Sequence, residues 1–285
     1  MTVSIVGGLF VGCIYGVFAI GLVLVYQVSR TVNFAAASIA MIGAFVFTDL
    51  RVGNGWPVLP AAATGVAVAG ALGGLGYVLI ARPLQNKHPV ASTLATFGLG
   101  ALLYTFAARQ WGLRPIESTE VLQGSAFRIL GYTFMRDDLL SVLLGLIAVG
   151  GVTLLLRRTS LGVQVRATAM DAIAAGQSGI RTDLVAGLVW VAAAASAGLA
   201  AILVSSQVSM TVDFTSGLML RALIAALIGG LTSVSGAFAG GLVLGVIEAL
   251  IGYQVSGAGL PELVLALIVV ALLAARPTGL RAAEY

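Results

Sequence analysis

The sequence predicts an all-α, polytopic bundle of membrane-spanning helices, and three observations carry that expectation. Of the 285 residues, 59% are hydrophobic and only 9% are charged, where a soluble domain carries roughly a quarter charged residues. Largely uncharged apolar runs recur near the length of about 20 residues that a helix needs to cross the hydrocarbon layer with its backbone groups satisfied internally. The 15 Lys and Arg residues are scattered between those runs, so the net charge of +4 reads as a set of topology signals and not as a nucleic-acid surface.

With charges and turn residues as boundaries, nine membrane segments follow in order. The first, 3–26, belongs to a stretch without a charged side chain from Met1 to Ser29. It has no positive leading segment of the kind that opens a secretory signal, so it is expected to be retained. The second, 32–48, lies between Arg30 and Asp49; the third, 57–81, runs from Pro57 to Arg82; the fourth, 90–108, stops at Arg109. The fifth, 139–156, lies between Asp138 and Arg157, and the sixth, 184–206, follows Asp183. The seventh, 219–232, is short for a full span and reads equally as re-entrant. Only Ser233, Val234 and Ser235 separate it from the eighth, 236–252, and the ninth, 261–275, ends before Arg276-Pro277. Gly8, Gly12 and Gly16, Gly70 with Gly74, Gly236 with Gly240, and Gly241 with Gly245 form small-residue stripes that let helices approach closely. Packing within one bundle is their plainer use, ahead of a dimer contact.

Positive loops resist translocation. With the N-terminus outside, Arg30, Arg82, Lys87, Arg157, Arg158, Arg166, Arg181, Arg276 and Arg281 fall inside, and Arg51, Arg109, Arg114, Arg128, Arg136 and Arg221 outside. The chain reads as one permease-like domain over 1–285, with two long connections: 109–138 outside and 157–183 inside.

The chemistry available is narrow. The single lysine, Lys87, precedes His88 and Pro89, so a nucleotide-binding Gly-Lys-Ser/Thr loop does not exist here. Cys13 and His88 are the only residues of their kinds, which leaves no zinc cluster, disulfide or nucleophile–base pair of that type. No catalytic residue or metal site is expected. Glu248 lies in an apolar run, where a charge is costly and usually functional; it either lines a pathway or locks two helices together. Arg221, at the opening of the 219–232 segment, either meets an anionic group of a substrate or snorkels to headgroups. A proton-driven carrier needs a relay of such groups, and Glu248 stands nearly alone.

The inner connection reads as a short helix ended by glycine, with Val163, Ala167, Met170 and Ala174 on one apolar face and Gln164, Arg166 and Asp171 polar. Such a helix docks in a partner's groove or rests on anionic lipid, for which Arg157, Arg158 and Arg166 are suited.

Four segments resemble the LivH/LivM-type branched-chain amino-acid permeases of ATP-binding-cassette importers, and the similarity runs over nearly the whole chain. Val32-Asn33-Phe34-Ala35 is similar to the family's Ile-Asn-Phe-Ala signature, although Ala36-Ala37-Ser38 stands where a His or Gln and a Gly are common. Leu161-Gly162 and Asp171 through Ile180 resemble the family's coupling helix. Arg221-Ala222 through Glu248 is the most specific match, with Thr232 and Ser235 replacing a Gly and a Pro of the usual turn. Arg276-Pro277-Thr278-Gly279-Leu280 resembles the closing Pro-Thr-Gly.

The resemblance implies a translocation subunit of the bacterial inner membrane that pairs with a second related permease. Two ATPases, carrying ATP and magnesium, would dock beneath, and a soluble binding protein would deliver solute outside. Asn33, Phe34, Arg221 and Glu248 then become pathway residues, and Leu161, Gly162, Arg166, Asp171, Ala175, Gly176 and Gly179 become ATPase-coupling residues. The solute expected is small and polar or amphipathic: an amino acid, urea or an amide, or a small organic acid. The other reading is a secondary carrier working without an ATPase.

Overall fold

A computed structural model describes residues 2–85, 89–116, 122, 124–129, 132–254 and 267. In chain order these form α1 (Thr2–Ser29), α2 (Ala36–Thr48), α3 (Val58–Gly76), a helical turn α4 (Arg82–Leu84), and α5 (Pro89–Trp111). A hairpin, β1 (Ser125–Ile129) and β2 (Tyr132–Met135), follows, then α6 (Arg136–Arg158), α7 (Ser160–Met170), α8 (Ala172–Gln177), α9 (Thr182–Val204), α10 (Phe214–Gly229) and α11 (Val234–Gln254). Wider π turns extend α2 to Gly53 and join α3 to α4.

Among the described residues seven helical stretches are long and apolar enough to cross a membrane, and α10 is a further, shorter apolar helix. The expected segments are present through 236–252, while 261–275 lies, Leu267 apart, outside the described residues. Lys87 and His88 lie outside them as well.

The largest departure is α10, which begins at Phe214 and ends at Gly229 where 219–232 was expected. Thr215, ahead of the expected start, is buried and donates its hydroxyl to the Ala37 carbonyl of α2 at 2.9 Å. That tertiary partner removes the cost of burying a hydroxyl and lets the helix begin earlier. At 1.5 Å per residue α10 is about 24 Å long, short of the roughly 30 Å hydrocarbon layer.

The core is built around α1, which packs against α11, α9, α10 and α6. Close approach explains the glycines: a Cβ on Gly12 would lie 2.8 Å from the Gly241 carbonyl oxygen of α11 and 2.9 Å from the Leu242 Cα. Gly8 faces Gly245 and Gly16 faces Phe238 in the same seam, so this stripe serves packing within the chain. On the other side α2, α3 and α9 pack together, with Gly43 against the Gly65 carbonyl. The outward faces of α5 and α6 are apolar, with Leu94, Leu102, Leu143, Ile147 and Leu154 exposed, as suits lipid contact.

Side-chain contacts separate the two ends of the bundle. At one end, Gln27 reaches the Thr232 carbonyl, Arg30 the Ala169 carbonyl, and Arg82 pairs with Asp183 at 3.2 Å. At the other, Trp111 donates to Asp49 at 2.7 Å and Ile116 forms a backbone bridge with Met210. The first end carries α7 and α8 and the second the hairpin.

Candidate functional site

The charges in the spans meet. Arg221 sits in the middle of α10, not at its opening as the sequence suggested, and does not snorkel: its Nε and Nη2 lie 2.7 and 2.6 Å from Glu248 Oε1 on α11. The other carboxylate oxygen accepts from the Tyr15 hydroxyl of α1 at 2.7 Å. One ion pair and one hydroxyl thus tie α1, α10 and α11 together. A charge deep among apolar helices costs about 3 kcal/mol on insertion scales, and pairing offsets that cost for both side chains. The two side chains retain 26% and 25% exposure, so the pair is reachable from one side. Glu248 and Tyr15, but not Arg221, line a concavity of about 560 Å³ whose other walls include Ser4, Gly8, Val11, Ala249 and Tyr253. Glu248 supplies the charge on a mostly apolar wall.

Asn33 and Phe34 belong to a different cluster. Asn33 is buried and its Oδ1 accepts from the Ala35 amide at 3.1 Å, which shapes the entry into α2. The Phe34 amide donates to Thr96 of α5 at 3.1 Å, and its ring stacks on Phe97 with centroids 4.1 Å apart. No hydrogen bond or ring contact among the described residues joins Asn33 or Phe34 to Arg221 or Glu248, so the four expected pathway residues divide into two pairs.

The inner connection is two helices, not one. Thr159 caps α7 by accepting from the Gly162 amide at 3.1 Å. Asp171, extended at φ −153°, breaks the run and caps α8 by accepting from the Ile173 and Ala174 amides at 2.8 and 3.0 Å. Gly179 at φ 84° closes α8, with its own amide bonded to the Gly176 carbonyl and the Ile180 amide to the Ala175 carbonyl, the arrangement of a glycine helix stop. Gly162 lies against the Leu155 and Leu156 carbonyls of α6, where a side chain has no room.

Of the expected apolar face, Val163, Met170 and Ala174 are exposed, and different residues fix the segment to the bundle. Gly162, Val165, Thr168 and Ala175 turn inward, whereas Leu161, Val163, Met170 and Ile173 are exposed and Ala167 is only partly covered. Arg166 donates to the Leu156 carbonyl of α6, and Arg30, at the end of α1, donates to the Ala169 carbonyl of α7 at 2.9 Å. The segment is therefore anchored to two spanning helices and presents an apolar outer surface.

Sequence reasoning missed Tyr15, 233 positions from Glu248, and the Asp183 cluster, where Arg82, Gln85 and Tyr77 converge on one carboxylate. Asp183 in the first turn of α9 is an ordinary helix-start residue, so no local pattern signalled the latter. No group of three metal-ligating side chains occurs among the described residues.

Comparison with known proteins agrees with this architecture. The family described as branched-chain amino acid transport system / permease component matches residues 4–275. The high-affinity branched-chain amino acid transport system permease protein LivH of Escherichia coli (strain K12) is 27% identical over 290 residues, covering 96% of this chain and 92% of that protein. BraD, the corresponding permease protein of Pseudomonas aeruginosa, is 30% identical over 294 residues, covering 97% and 94%. A probable branched-chain amino acid transport permease protein LivH of Methanocaldococcus jannaschii is 29% identical over 252 residues, covering 84% and 78%. With its membrane-length helices and a match across nearly its whole length, this multi-pass inner-membrane protein belongs to the branched-chain amino acid transport system permease family.

Proposed function

We propose that this chain is the translocating subunit of an ATP-driven importer for a small amphipathic solute, with branched-chain amino acids the first to test. The observation that supports it best is the α7–α8 segment, which exposes Leu161, Val163, Met170 and Ile173 at one end of the bundle. An apolar surface of this kind suits an ATPase groove, and Arg30 and Arg166 tie it to α1 and α6. In this reading ATP and magnesium reside on two partner ATPases, a second related permease completes the pathway, and an extracytoplasmic binding protein delivers the solute.

The concavity lined by Glu248 is the proposed solute path, because the carboxylate held by Arg221 and Tyr15 offers a partner to the ammonium of an amino acid. Motion of α7–α8 on ATP-driven closure reaches that carboxylate through α1, which carries Arg30 at one end and Tyr15 midway. Asn33 and Phe34 act at the joint between α2 and α5 and set the inner end of the path. Ala36-Ala37-Ser38 stands where the family commonly has a His or Gln and a Gly; Ala36 and Ala37 are buried, and the missing polar side chain bears on which solute is accepted.

The test is reconstitution in liposomes with the companion permease, ATPases and binding protein, measuring uptake of labelled leucine with and without ATP. Uptake that needs both ATP and the ATPases supports the importer. Uptake that continues without the ATPases, and stops when ion gradients are collapsed, overturns it in favour of a secondary carrier.

A further inference from the structure

Beside the solute path and distinct from it, the α7 end of the bundle carries a cavity of about 480 Å³ between α1, α6, α7 and the turn before α11. Arg30, Arg157 and Arg166 all line it. Among the described residues no carboxylate does, and the polar remainder consists of Gln27 and the hydroxyl residues Thr153, Thr232, Ser233 and Ser235. The three guanidiniums share one cavity without a counter-charge from the described residues, so an anion that enters it meets three donors of like charge. The guanidiniums are available: Arg30 and Arg166 each spend one N–H group on a backbone carbonyl out of five donors, and Arg157 has no ion-pair partner among the described residues.

A second observation identifies the anion. Thr153 and Arg157 are also walls of a shallow groove of about 390 Å³ that continues along α6 past Val149, Gly150 and Leu154. That groove is almost wholly apolar up to Arg157 and Arg158, and it runs on the exposed, lipid-directed face of α6. A ligand filling both needs an anionic head and an apolar tail joined at Thr153 and Arg157. This is the chemistry of an anionic phospholipid, for which basic pockets between helices at the membrane face are suited.

We propose that this protein holds an anionic phospholipid, its phosphate among Arg30, Arg157 and Arg166 and one acyl chain along the α6 groove. The phosphate bridges the ends of α1 and α6 to α7, so the lipid staples the segment that carries the exposed apolar side chains. Binding itself does not depend on whether that segment meets an ATPase.

The test uses the full chain, delipidated in neutral detergent. Its melting temperature is followed during titration with phosphatidylglycerol, phosphatidylcholine of the same acyl chains, or inorganic phosphate. Phosphatidylglycerol is expected to raise the melting temperature saturably, with the other two leaving it unchanged. Arg30→Gln with Arg157→Gln should raise the half-saturating concentration by about tenfold or more, while Arg181→Gln, an equal loss of charge per site outside the cavity, should not. A Cβ on Gly150 meets nothing within 4 Å, so Gly150→Phe is expected to fold, checked by its melting temperature without lipid, and to fill the groove; it should weaken the phosphatidylglycerol response severalfold. An equal response to phosphatidylcholine, full reproduction by inorganic phosphate, or an unchanged response in Gly150→Phe would each overturn the assignment. If the double arginine variant fails to fold, the Gly150→Phe titration and the three-ligand comparison decide alone.

Discussion

The seam where α1 meets α10 and α11 and the α7–α8 segment are both rich in small residues, yet they are held in opposite ways. The seam is buried, interlocked by glycines whose backbones touch, and pinned by Tyr15, Glu248 and Arg221. The α7–α8 segment is mostly exposed, held by caps and a few hydrogen bonds to carbonyls. Substitutions in the seam should therefore act on whether the protein folds, and substitutions in α7–α8 on what the folded protein does.

The largest effect should come from the seam's backbone contact. Gly12→Leu places its Cβ against the Gly241 carbonyl and the Leu242 Cα, neither of which can rotate away, and overpacking of this kind costs about 1–3 kcal/mol or more. Loss of monodisperse protein in detergent is expected. Gly98→Leu, on exposed α5 where a Cβ meets nothing within 4 Å, should leave the yield and the elution profile unchanged. Equal behaviour of the two variants would show that α1 and α11 are not in close contact.

Next is the ion pair. Glu248→Gln leaves Arg221 without its counter-charge, and Arg221→Gln does the reverse. Breaking a fully buried pair costs about 3–5 kcal/mol; with a quarter of each side chain exposed, about 1–2 kcal/mol is expected. The double variant carries no unpaired charge, so its melting temperature should exceed the sum of the single effects. Strict additivity would mean that the residues do not interact.

Much of this fold is legible in the sequence because lipid permits few structures: apolar runs bounded by charges located the spans, and the glycine stripe announced a close approach. The site was less legible, for reasons visible residue by residue. Tyr15 and Glu248 are joined across 233 positions, and no local pattern links them. Thr215 lies ahead of the expected 219–232 segment, and its place in a helix rests on the distant Ala37 carbonyl. In α7–α8 the periodicity showed one apolar face of Val163, Ala167, Met170 and Ala174, but not that Gly162, Val165 and Thr168 would be taken inward, which depends on the carbonyls that α6 presents to Gly162.

A smaller effect on stability is expected from Asp171→Ala. It removes the cap of a six-residue helix, a loss of about 1 kcal/mol confined to an exposed segment, so the melting temperature should fall by a few degrees at most. If α7–α8 transmits ATP-driven motion, the reconstituted assembly should still hydrolyse ATP while solute uptake drops. Normal uptake per ATP hydrolysed would remove the coupling role from Asp171.

The smallest effect on the fold, and the sharpest test of the contrast, is Val163→Ser combined with Ile173→Ser. Val163 is 55% and Ile173 77% exposed, and exposed substitutions usually change stability by within about 0.5 kcal/mol. The melting temperature should be unchanged. The same side chains are the proposed contact with the ATPase, where a groove would desolvate them, and each fully buried Val or Ile contributes about 1.5–3 kcal/mol. Co-purification of the ATPases should therefore weaken by tenfold or more, with no loss of the chain itself. If association persists at wild-type strength, those side chains face lipid and not a protein, and the docking surface lies elsewhere. If the isolated chain is destabilised instead, α7–α8 packs into its own bundle more deeply than its exposure shows, and the division between a region that folds and a region that couples fails.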